Sequence, residues 1–116
     1  MAAFELEYTA KGILGLRLPG FVGKVFVPLH EIVRLEGQRN YTRFVLSNRQ
    51  QILVAKTLKC FEELHLPDFI RVSRSCIINR FYLTPYNGDS LRLKDGYEVP
   101  VSRRRVKDLE SIRPAA

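Results

Sequence analysis

Apolar and polar residues alternate with a period of two along much of this chain, the mark of strands buried on one face. Phe4-Glu5-Leu6-Glu7-Tyr8 is the first such run, and residues 12–18 form a weaker one closed by the turn pair Pro19-Gly20. Lys24-Val25-Phe26-Val27 predicts a strand that Pro28 ends, and residues 29–35 fit either a short helical turn or a strand. Tyr41-Thr42-Arg43-Phe44-Val45-Leu46 and Gln51-Ile52-Leu53-Val54-Ala55 flank the polar turn Ser47-Asn48-Arg49-Gln50, which predicts a hairpin. Phe69-Ile70-Arg71-Val72 and Phe81-Tyr82-Leu83 predict short strands, with Ser73-Arg74-Ser75 opening a brief helical turn that leads into Cys76-Ile77-Ile78-Asn79. Residues 90–94 and 97–101 alternate about Asp95-Gly96, a strong hairpin signal.

The period lengthens to that of a helix in two places. Leu58, Phe61, Leu64 and Leu66 form an apolar stripe behind Thr57, whose hydroxyl suits an N-cap, with Glu62 and Glu63 outward and Pro67 as terminator. Ser102 opens a second helix to about residue 111, with Val106, Leu109 and Ile112 inward. The sum is a mainly β, mostly antiparallel fold with one or two short helices and a sandwich or barrel-like body. Denser patterning begins near Pro28. That divides the chain into an accessory strand segment over 1–27, a principal domain over 28–112 and a tail over 113–116.

With 116 residues the chain is long enough for one core, and 46% apolar content rules out compositional disorder. No apolar run approaches the ~20 residues of a membrane span, and the N-terminus lacks the pattern of a secretory signal, so a cytoplasmic location is expected. Cys60 and Cys76 belong to no CxxC pair and His30 and His65 stand alone, so no metal site is expected and both thiols read as buried and reduced. Charge sharpens the picture by where it sits. Of a net +7, residues 71–116 carry ten basic against five acidic residues, and eight of those ten are arginine. Arginine's planar fork suits phosphate oxygens and guanine edges.

No nucleophile, paired-carboxylate, P-loop or dinucleotide motif is present, so no enzymatic activity and no cofactor are expected. What stands out is three polar, cationic tips, each carried on apolar elements: residues 36–43, 71–75 and 101–105. They join arginines to Asn, Ser or Thr, the residue types that bond phosphates and base edges. Arg103, Arg104 and Arg105 at a helix start oppose the helix dipole, a placement that suits an anionic partner.

The segments bearing these tips resemble the LytTR family of bacterial DNA-binding domains. Ile32-Val33-Arg34-Leu35-Glu36-Gly37-Gln38-Arg39-Asn40-Tyr41-Thr42-Arg43-Phe44 is similar to the family's strand-loop-strand. Thr57-Leu58, leading through the helix to Leu66-Pro67-Asp68-Phe69-Ile70-Arg71-Val72-Ser73-Arg74-Ser75-Cys76-Ile77-Ile78-Asn79, is similar to its second conserved segment, and Leu91 to Gly96 with Val99-Pro100-Val101-Ser102-Arg103-Arg104 to its third. The order and spacing are the family's, over about residues 28–112.

The resemblance implies an elongated body of several small sheets, whose loops enter successive major grooves of double-stranded DNA to regulate transcription. It implies paired direct-repeat sites, hence two copies on one site with weak dimerisation off DNA. Carried over, base contacts fall at Asn40, Thr42, Arg74 and Arg104, and phosphate contacts at Arg39, Arg43, Arg71, Ser73, Ser75, Arg103 and Arg105. Ile77, Ile78, Leu91, Leu93, Val99 and Val101 are expected in the core, and Asn79 is expected to bond backbone at a turn. The family usually has His where this chain has Ser73, which has shorter reach and no charge. The 27 residues ahead of the resemblance cannot hold a receiver domain, so a stand-alone regulator is expected. Two rivals remain on the residues alone. One is an RNA-binding domain using Tyr41 and Tyr97 as stacking platforms. The other is a protein-interaction module for an acidic partner.

Overall fold

A computed structural model describes residues 4–19, 23–84, 91–106 and 112. Three antiparallel sheets make up the described body, which measures 43 × 33 × 24 Å. The first sheet orders β1 (Leu6–Tyr8), β2 (Leu14–Pro19) and β3 (Lys24–Pro28) consecutively. The second contains β4 (Ile32–Gln38), β5 (Tyr41–Leu46), β6 (Gln51–Val54), β7 (Phe69–Ser73) and β8 (Cys76–Asn79) in the order β6-β5-β4-β8-β7. The third is the pair β9 (Leu91–Arg92) and β10 (Glu98–Val99). The five-stranded sheet is open, with β6 and β7 at its edges, so the expected sandwich or barrel gives way to small separate sheets.

Both faces of the five-stranded sheet are covered, because alternate residues of its strands serve two cores. On one face Ile32, Leu35, Phe44, Leu46 and Ile77 pack with Phe4, Leu16 and Leu18 of the N-terminal segment and with Leu58 and Phe61. Phe61 meets Phe44 edge-on at 4.9 Å and Phe4 at 4.8 Å, geometries that favour aromatic pairs. The segment expected as accessory therefore shares the main core. On the other face Val33, Val72, Cys76 and Ile78 pack with Leu83, Leu91, Leu93, Val99, Val106 and Ile112, and Val101 lies at the margin. A bulge between Ile32 and Arg34 shifts the alternation by one residue, so that Ile32 and Leu35, three apart, enter the same core while Val33 enters the other.

Several local expectations are corrected. Residues 29–35 are both things at once, a 3-10 turn at Leu29–Glu31 followed by β4. Ser73-Arg74-Ser75 opens no helical turn, since Ser73 pairs with Cys76 and leaves Arg74 and Ser75 as a tight hairpin turn. Residues 81–83 are not a strand. A 3-10 turn at Arg80–Tyr82 begins where the Asn79 side chain accepts from the Phe81 N–H, and Leu83 only bridges Leu93.

Helix α1 is shorter than its apolar stripe, covering Leu58–Glu62. The helix ends ahead of Pro67, and left-handed His65 (φ 52) and Asp68 (φ 65) on either side of that proline turn the chain into β7. The Thr57 hydroxyl makes no capping bond and faces the Cys60 sulfur at 3.8 Å instead. Cys60 is half-buried rather than buried. The expected C-terminal helix lies outside the described residues beyond Val106. The described residues 103–105 form a turn, with Val106 N–H donating to the Ser102 carbonyl at 2.8 Å and Arg104 N–H to the Ser102 hydroxyl at 3.3 Å.

Candidate nucleic-acid interface

The three cationic tips lie side by side, joined by backbone bonds. The first is the β4–β5 hairpin turn at Arg39 and Asn40, where both residues are exposed and Arg39 takes a left-handed φ of 51. The second is the β7–β8 turn at Arg74 and Ser75. The Gly37 N–H of the first donates to the Ser75 carbonyl of the second at 2.9 Å. The third, at Ser102 to Arg105, is tied to the second by the Ser102 N–H donating to the Val72 carbonyl at 2.8 Å. Antiparallel pairing of β4 with β8 explains the first junction. It brings the end of β4 to the start of β8, so the two hairpin turns fall at one end of the sheet.

Hairpin β9–β10 sets up the third tip. Gly96 supplies the φ of 90 that the Asp95-Gly96 turn requires, and the Asp95 carboxylate accepts from the Tyr97 N–H at 3.0 Å. Arg34 on β4 clasps this hairpin. Its guanidinium lies 3.7 Å from the Tyr97 ring centroid and donates to Asp95 and to Glu36, each at 2.8 Å. Burial opposes the charge on Asp95, but the Tyr97 N–H and the Arg34 guanidinium outweigh it and hold the carboxyl below its usual range. For Arg34 burial likewise works against the charge, and the bonds to Glu36 and Asp95 reverse it, raising the pKa.

The expected site residues divide into two groups. Asn40, Arg39, Arg74, Ser75, Arg103 and Arg104 are exposed on the tips, and Arg39, Arg74, Arg103 and Arg104 make no ion pair with any described residue. Arg105 is exposed and donates to Glu62 at 3.4 Å. The others are turned to internal work. Thr42 is fully buried and its hydroxyl donates to the Lys56 carbonyl at 2.8 Å, so the expectation that it faces a base is corrected. Ser73 is buried and its hydroxyl accepts from the Ser75 N–H at 3.3 Å, which makes it a turn-former rather than a phosphate ligand.

Arg71, with its side chain only 11% exposed, directs Nε to the Ser73 carbonyl, one terminal nitrogen to the Arg74 carbonyl and the other to Glu62. It splints the turn and is not disposed to meet phosphate. Arg43 is half-buried between Glu36 (3.3 Å) and Gln38 (3.4 Å), and its Nε is buried without a partner. Asn79 is buried, donates to the Ile32 carbonyl at 2.8 Å and accepts from Phe81, which is the backbone-bonding role expected of it.

Sequence reasoning missed Glu62 and Arg34, which hold the tips. An acid on a helix and an arginine in a strand carry no motif that announces a partner distant in sequence. Tyr97, a stacking platform in the RNA reading, is covered by Arg34, whereas Tyr41 is exposed. Among the described residues no group of His, Cys, Asp or Glu could hold a metal ion, and no helix is long and apolar enough to cross a membrane.

Small antiparallel sheets presenting adjoining arginines, without ion pairs among the described residues, give this β scaffold a cationic end of the kind that suits a polyanion. Comparison with known proteins makes the class specific. The family model described as the LytTr DNA-binding domain matches residues 23–113, a span that starts ahead of Pro28 and takes in β3. The chain belongs to the LytTR DNA-binding domain family, whose members are non-catalytic modules of transcription regulation. A solved structure, the LytTr DNA-binding domain of a protein described as a methyl-accepting/DNA response regulator from Bacillus cereus, is similar at a TM-score of 0.68 and 26% identity. That match covers 83% of this chain and 93% of the other. No curated protein sequence matches the chain significantly.

Proposed function

We propose that this domain binds double-stranded DNA sequence-specifically, reading major grooves through its three cationic turns. The observation that carries this reading is the joining of the turns by the Gly37–Ser75 and Val72–Ser102 bonds, with Arg39, Arg74, Arg103 and Arg104 exposed and without an ion pair among the described residues. In this reading Arg74 and Arg104 take base edges, with Asn40 beside them. Arg39, Arg103 and Ser75 take phosphates, and Arg43 and Arg105 join them on release from Glu36 and Glu62. Thr42, Ser73 and Arg71 support the turns from within. Two copies occupy paired direct repeats, and the free chain dimerises weakly.

Phosphate neutralisation makes the affinity salt-dependent, by roughly 0.9 log unit per phosphate per log unit of salt. Titration of a duplex selected from a random library tests the assignment. Arg74→Ala and Arg104→Ala are each expected to cost about 1–3 kcal/mol on the selected duplex and to relax discrimination at one base position. Unchanged affinity for both selected and random duplex in these variants contradicts it. Preference for RNA in competition favours the RNA reading, and failure to shift any nucleic acid favours an acidic protein partner.

A further inference from the structure

Glu62 sits at the junction of the second and third tips, the one carboxylate that pairs there among the described residues. It is the last residue of α1, where an acid gains nothing from the helix dipole. One of its oxygens accepts from Arg71 at 2.8 Å, and the other from Arg105 at 3.4 Å. Through Arg71 it reaches the backbone of the second tip, since the same guanidinium donates to the Arg74 carbonyl at 2.7 Å and to the Ser73 carbonyl at 3.1 Å. The single side chain thus does two things. It fixes the splint under the turn that presents Arg74, and it neutralises Arg105 beside Arg103 and Arg104. Its side chain is 38% exposed, so its charge is felt at the surface.

Resting on the DNA-binding reading, we propose that Glu62 is a specificity-determining positioning residue, which holds the Arg74 turn in its reading geometry and suppresses sequence-independent phosphate binding near Arg105. The physical reason is a difference of affinities. Non-specific binding is mostly cation–phosphate attraction, which a fixed carboxylate weakens directly. Specific binding also needs Arg74 held in place, which the same carboxylate supports. One negative charge therefore penalises the wrong complex more than the right one.

The test measures affinities of the folded chain for a library-selected duplex and for a random-sequence duplex of equal length, over a range of salt. Glu62→Gln keeps an acceptor for Arg71 but removes the charge, whereas Glu62→Ala removes both. Both variants are expected to bind random duplex several-fold more tightly at low salt, with a salt slope steeper by up to about one as Arg105 is released to a phosphate. The ratio of selected to random affinity is expected to fall in both, and further in Glu62→Ala.

If both affinities rise by one common factor, or neither changes, the proposal is overturned while the DNA reading stands. If the unsubstituted chain binds neither duplex, the DNA reading itself fails, and the proposal with it. Arg105→Gln and Arg104→Gln provide a comparison that leaves Glu62 in place. Loss of the neutralised Arg105 is expected to weaken random-duplex binding less than loss of Arg104, which forms no ion pair among the described residues, and equal losses count against the proposal even where Glu62 variants fold poorly.

Discussion

The buried side chain of Thr42 shows how residue type alone misleads about role. Thr42 lies in a cationic tip by sequence, but its position in β5 turns it to the core face beside Phe44 and Leu46, where its hydroxyl closes onto Lys56. Thr42→Val is expected to lower stability by about 1 kcal/mol in denaturant unfolding while leaving duplex affinity essentially unchanged. A loss of affinity at unchanged stability returns Thr42 to the base-contact set. Cys76 makes a second prediction. Burial, aided by the Glu36 charge, pushes its thiol up from 9.0 to about 12. The folded chain then holds the proton more tightly than the unfolded chain, so the contribution to stability is complete below pH 9.0 and lost as pH rises toward about 12. Cys76→Ala is expected to flatten the decline of stability with pH across that window, and an unaltered slope contradicts the burial argument.

Strands and turns were more legible than helices. The Asp95-Gly96 hairpin and the β5–β6 pair follow directly from alternation and turn chemistry, because both signals are local. The apolar stripe behind Thr57 overstated α1. Leu64 and Leu66 pack into the same core, but from the non-helical chain that leads through His65 and Asp68 into β7. The 73–75 segment was misread because Ser and Arg suit a turn of either kind, and only the pairing of Ser73 with Cys76 decides between them.

Gly15 offers a test at this scale. A Cβ there would lie 2.5 Å from the Val27 carbonyl oxygen and 2.5 Å from the Phe26 ring, so β2 and β3 can pair as they do only around a glycine. Gly15→Ala is expected to destabilise the chain by about 1–3 kcal/mol through forced backbone and ring shifts. Thermal unfolding measures it, and a neutral result implies that the two strands are spaced more widely. The Arg34 clasp on the β9–β10 hairpin also titrates. The Asp95 carboxyl is depressed in the folded chain, so the stability it contributes is present at neutral pH and fades as pH falls through the carboxylate range. Asp95→Asn is expected to lower stability at neutral pH and to converge with the parent chain in acid. A pH-independent difference contradicts the clasp.

At the scale of the molecule, a five-stranded sheet with a core on each face acts as a rigid bracket for the turns at one end. The family motif placed all three turns in the chain, and the sequence alone could say nothing of the bonds that join them. Arg71, Arg43 and Arg105 looked interchangeable with Arg74 and Arg104 on composition. Contacts with Glu62 and Glu36 separate the arginines engaged within the protein from those that form no ion pair among the described residues. The central claim is that the exposed arginines of the three turns read a duplex. Selection from a random duplex library, followed by sequencing, tests that claim most directly. The account predicts enrichment of two repeated half-sites in the same orientation, with enrichment reduced for Arg74→Ala and Arg104→Ala. A library that emerges from selection without sequence bias, or a bias that both variants retain in full, contradicts it.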